Sequence, residues 1–72
     1  MMKRYYSIMR PVSIGTYPRS GAEEIVNFDR RQFCPEINRE AWGYIEYSRE
    51  LSEEEAADYE LIPAAEKPQK RP

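Results

Sequence analysis

The chain has 72 residues, with 11 basic and 13 acidic side chains, one cysteine and no histidine. A chain this short forms one domain at most. A single cysteine excludes an internal disulfide, and the lack of histidine excludes a Cys/His zinc centre, a Ser–His pair and a histidine pH switch. A net charge of −2 points neither to nucleic acid nor to a membrane surface as partner. No run approaches the roughly 20 apolar residues that span a bilayer, and Met1-Met2-Lys3-Arg4 is not followed by the apolar stretch of a signal peptide. The expectation is a cytoplasmic protein without cofactor or bound metal.

In chain order, Arg4-Tyr5-Tyr6-Ser7-Ile8-Met9-Arg10 reads as a first strand, ended by Pro11, which lacks a ladder donor. Val12 to Ser20 holds Gly15 and Pro18, with Gly21 next. This is turn chemistry and predicts a long irregular connection of the kind that often carries function. Glu23 to Asp29 reads as a second strand with Val26 and Phe28 on one face. Asp29-Arg30-Arg31 reads as a charged turn, Gln32-Phe33-Cys34 as a short extended piece, and Pro35 to Glu40 as a polar loop.

Ala41-Trp42-Gly43-Tyr44-Ile45-Glu46-Tyr47-Ser48 is the organising stretch. Aromatic and β-branched residues suit a half-buried pleated surface, so it reads as the central strand. Ala41, Gly43, Ile45 and Tyr47 then share one face. A helix starts sharply at Ser52, an N-cap with Glu55 three residues on completing a capping box, and is expected over Glu53 to Glu60. Eight residues are marginal alone, so the helix must dock on the sheet. Together these elements predict an α+β domain over residues 1–62. It would be a small three-stranded or four-stranded, mainly antiparallel sheet with one short C-terminal helix packed on one face. A fourth strand would come from Phe33 or Leu61. The composition of residues 63–72 reads as a disordered tail.

Few residues suggest chemistry. Lys3, Arg4, Arg10 and Arg19 lie among Tyr5, Tyr6 and Tyr17, and the first twenty residues carry no acid. Cations with exposed rings are the ingredients of a single-strand nucleic-acid surface. The plainer reading makes the tyrosines core and the arginines a solvated rim, and it is preferred because four cations are few. Glu53, Glu54, Glu55, Asp58 and Glu60 read as helix capping and solubility, with no EF-hand spacing and no distinct acid–base pair. Cys34 has no histidine to activate it and reads as a structural thiol. The expectation is a protein that is not an enzyme.

Three stretches carry a resemblance: Arg4 to Pro11 with Gly15-Thr16-Tyr17-Pro18; Glu24 to Asp29; and Ala41 to Ile45 leading to Arg49-Glu50-Leu51-Ser52. The chain resembles small proteins of conjugative transposons and phages of Gram-positive gut bacteria, related to the C-terminal domain of the defence-against-restriction A family. The similarity covers about residues 4 to 62 and brings no catalytic residues. It implies a mobile-element origin and a role in protecting incoming DNA from restriction. The leading expectation is therefore a protein-interaction module whose partner is another protein of the mobile element or host. Its contact surface would be Tyr5, Arg10, Tyr17 and Arg19, chosen because Tyr and Arg are enriched at contact sites. The alternative is a weak single-strand nucleic-acid binder using the basic, tyrosine-rich first strand. A monomer or weak homodimer is expected, with no membrane contact.

Overall fold

A computed structural model describes residues 2–64 of the chain. The elements are β1 (Lys3–Ser7), β2 (Ala22–Cys34), β3 (Arg39–Tyr47), α1 (Glu53–Asp58) and β4 (Leu61–Pro63). The four strands form one antiparallel sheet in the order β2-β3-β1-β4. The α+β expectation is met with four strands, and the fourth comes from Leu61. The expected tail lies, from residue 65 onward, outside the described residues; Pro63 and Ala64 before it belong to the sheet's edge, where the Ala64 N–H donates to the Arg4 carbonyl.

β3 is interior because both its edges are paired, one with β2 and the other with β1. Ala41, Gly43, Ile45 and Tyr47 are all buried, as strand alternation requires. Tyr5 pairs with Ile45 across β1 and β3, and Ile25 pairs with the same Ile45 from β2. On this face Tyr5, Val12, Ile45, Tyr47, Leu51 and Leu61 form the main core, with Ala56 and Tyr59 of the helical segment packed against it. Fully burying a side chain such as Ile45 contributes about 1.5–3 kcal/mol. The Tyr5 and Tyr47 rings meet edge to face at 5.6 Å. A second, smaller cluster holds Tyr6, Cys34 and Ala41 with Phe28, Ile37 and Tyr44 against it.

Gly43 is dictated by close approach. A Cβ built on it would fall well inside contact distance of the Val26 carbonyl oxygen and 3.0 Å from the Asn27 Cα. Both neighbours are backbone of the paired strand, which cannot swing aside.

Several boundaries differ from the sequence expectation. β1 ends at Ser7 rather than near Arg10, because the buried Ser7 hydroxyl donates to the Arg10 carbonyl and turns the chain. Asp29-Arg30-Arg31 is not a turn. It lies within the single long β2, where the pairing jumps from Asn27↔Gly43 to Gln32↔Ala41 in a bulge. The bulge is held by Arg31, which pairs with Glu40 at 3.4 Å and lies over the Trp42 ring. The β2–β3 turn is residues 35–38, shorter than the expected Pro35 to Glu40 loop because Arg39 and Glu40 pair with Cys34 and Phe33, and Asn38 takes the left-handed conformation there (φ 57°), which asparagine tolerates. Helix α1 stops at Asp58, earlier than expected, because Tyr59 caps it and Glu60 turns left-handed (φ 57°) to enter β4. The capping box at Ser52 and Glu55 is formed as the spacing predicts. Among the described residues no helix is long and apolar enough to cross a membrane.

Candidate functional site

The segment joining β1 to β2, residues 8–21, is irregular along its length yet fastened at four points. The Asn27 carboxamide bonds both backbone groups of Val12. A turn is closed by Thr16, whose N–H and hydroxyl both donate to the Ser13 carbonyl while its Oγ1 accepts the Ser13 N–H. Gly15 sits inside that turn with φ +94°, a conformation that only glycine adopts freely. The Tyr47 hydroxyl, otherwise buried, donates to the Pro18 carbonyl at 2.6 Å. Finally the Ser48 N–H donates to Gly21 and the Arg49 Nε to Ser20.

Arg49 ties three elements together. Besides Ser20 it makes a two-pronged ion pair with Glu55 at 3.0 and 3.1 Å, and its guanidinium lies over the Tyr47 ring. Glu55 is thereby held below the usual carboxylate range, first by Arg49 and then by the Ser52 N–H. Burial pushes the Tyr47 hydroxyl well above its ordinary value, so it remains a donor at neutral pH. A loop with this many anchors presents its outer side chains in a defined geometry rather than as a floppy strap.

The four residues expected to form a contact surface separate into different places. Tyr5 is corrected: it is 2 % exposed, its ring lies in the main core, and its hydroxyl accepts the Leu51 N–H at 2.9 Å. Strand alternation turns it inward, into the core. Arg10 is exposed and ion-paired with Glu60. Tyr17 and Arg19 do come together, lining a small hollow of about 240 Å³ with Ala22, Glu23, Glu24 and Ile25. Tyr17 is half-buried against the core. Arg19 is exposed and makes no ion pair among the described residues.

The proposed basic and aromatic stripe is largely used up internally. Tyr6 is buried and its hydroxyl bonds Glu36. Arg4 pairs with Glu46 and Glu36, and its guanidinium stacks 3.9 Å from the centre of the Tyr44 ring. A large aliphatic side chain ordinarily belongs to a core, yet Ile14 is 82 % exposed on the Ser13–Thr16 turn. The signal was present, since an isoleucine between Ser13 and Gly15 sits in turn chemistry rather than in an alternating pattern.

Cys34 is buried, its thiol is pushed up by burial, and it donates to the Gln32 carbonyl. Among the described residues no group of three or more His, Cys, Asp or Glu side chains could hold a metal ion. A shallow cleft of about 610 Å³ between α1 and the β1–β4 side has Tyr5, Leu51, Ala56 and Leu61 in its wall. Its two hydroxyls are both engaged, Ser52 in the helix cap and Tyr5 with the Leu51 N–H.

The molecule is thus a small antiparallel sheet with one helix, presenting a firmly anchored loop as its most distinctive surface. The family model for the defence against restriction A C-terminal region matches residues 1–66, and the chain belongs to that family. No curated protein and no solved structure matches it.

Proposed function

We propose that this protein is a non-enzymatic accessory protein of a mobile genetic element that helps protect incoming DNA from restriction. It acts by binding another protein, of the element or of the host, in the cytoplasm. The observation that carries the reading is family membership over residues 1–66, which supports an anti-restriction role. The anchored loop supports a contact mechanism: a preordered surface loses less conformational freedom on binding. Its contact residues are Tyr17 and Arg19 at the hollow, with Ile14 on the turn before them.

The test is a restriction challenge with a surface variant. Tyr17→Ala combined with Arg19→Ala should abolish protection of unmodified DNA while leaving a cooperative thermal melt. A folded double variant that protects as well as the wild type would place the contact surface elsewhere.

A further inference from the structure

We propose that two copies of this chain pair through the free edge of β2, as antiparallel strands related by a two-fold axis at Asn27. The sheet has two edges, and they differ in kind. β4 is three residues long and ends in Pro63, which has no N–H to offer. β2 is 13 residues long, with register shifts at Glu23 and between Asn27 and Gln32; beyond Ala22, whose N–H donates to the Arg19 carbonyl of the loop, no strand or loop backbone bonds its outer side among the described residues. The Val26 carbonyl is turned towards β3 at Gly43. Backbone groups alternate along an antiparallel strand, so those of Ile25 and Asn27 face the open edge. Ile25 itself is 43 % exposed.

The charges on this edge select a second copy as the occupant. Native edges are commonly protected by charged side chains, and a single sign does this best because two such edges repel. Here both signs are present in self-complementary order: Glu23 and Glu24 before Asn27, Arg30 and Arg31 after it. An antiparallel pair centred on Asn27 sets Glu24 opposite the partner's Arg30 and Glu23 opposite the partner's Arg31, each twice by symmetry. Val26 falls opposite the partner's Phe28. Glu23, Glu24 and Arg30 make no ion pair within the chain among the described residues, and Arg31 makes only an exposed one with Glu40. The bulge after Asn27 adds twist and shortens the flat stretch available. The dimer is therefore a weak, concentration-dependent one.

Sedimentation equilibrium on the full chain tests this, using two charge-reversed variants. Glu23→Arg with Glu24→Arg leaves Asp29 as the one acid among four arginines on β2, and Arg30→Glu with Arg31→Glu makes the strand wholly acidic. Wild type should pass from monomer to dimer as concentration rises. Each variant alone should lose about tenfold or more in self-association, since like charges directly opposite destabilise a strand pair. An equimolar mixture of the two should regain a heterodimer, which also shows that both are folded. Wild type that stays monomeric at every concentration overturns the proposal. So do variants that self-associate as well as wild type, or a mixture that does not associate.

Discussion

The Asn27 carboxamide clasps the backbone of Val12 at both ends: Oδ1 accepts the Val12 N–H at 2.8 Å, and Nδ2 donates to the Val12 carbonyl at 2.9 Å. Asn27 thus extends the hydrogen-bonding of β2 sideways and lays the 8–21 loop over the sheet, delivering Val12 to the main core. Asn27→Leu removes both bonds and strands two backbone groups. It should cost about 1–3 kcal/mol per group left unpaired in the folded state, less where water reaches it. Urea unfolding measures the loss, and amide exchange at Val12 should speed up with it. Unchanged exchange at Val12 would mean the clasp does not hold the loop.

Gly43→Ala is the sharpest packing test. Its methyl group would meet the Val26 carbonyl and the Asn27 Cα, both backbone. Overpacking of this kind costs about 1–3 kcal/mol, and it also disturbs the residue that holds Val12. A lowered thermal midpoint together with shifted Val12 and Asn27 amide signals is the expected result. A neutral substitution would contradict the close approach of β2 and β3.

The Tyr47 hydroxyl gives an alkaline signature. Its folded pKa is raised by burial, and so is that of Tyr6, where the bond to Glu36 adds to burial. A raised folded value stabilises fully below the unfolded value, about 10 for tyrosine, and the contribution is lost as pH rises through the folded value. Cys34, raised by burial, adds the same trend from about pH 8.5. Stability measured by urea midpoint should therefore fall on the alkaline side. Tyr47→Phe should be less stable at neutral pH by about 1–3 kcal/mol, because Pro18 loses its donor, and should show a shallower alkaline decline. An identical slope in the two proteins would show that Tyr47 does not titrate as described.

At the acid end the relevant pair is Arg49 and Glu55. Glu55 is depressed chiefly by Arg49, so its contribution is present above the ordinary glutamate value, about 4.3, and is lost as pH falls through the folded one. Arg49→Ala should lower stability at neutral pH and flatten the acid limb of the profile. Arg49→Lys should not restore it, since one ammonium cannot make the two-pronged contact with Glu55 while reaching Ser20. Full rescue by lysine would reduce Arg49 to a simple point charge.

Much of the scaffold could be read from local chemistry. The alternation around Trp42 located the interior strand, and Ser52 with Glu55 located the helix start, because both signals are written in neighbouring residues. What escaped depends on contacts distant in sequence. Asp29-Arg30-Arg31 looks like a turn until β3 is placed beside it, where Arg31 meets Glu40 and Trp42. Asn27 reads as a polar strand residue, and nothing nearby announces that it will hold Val12. The candidate surface divided along the same line. Tyr17 and Arg19, two apart on one loop, share a hollow. Tyr5 was lost to the core because its hydroxyl finds Leu51, 46 residues away.

The central claim is protection of entering DNA, and recovery of unmodified DNA measures it most directly. The same DNA is delivered to restricting and non-restricting cells, each with and without the protein. The account predicts higher recovery in restricting cells that carry the protein and no difference between the non-restricting cells. Equal recovery in restricting cells with and without the protein would contradict it.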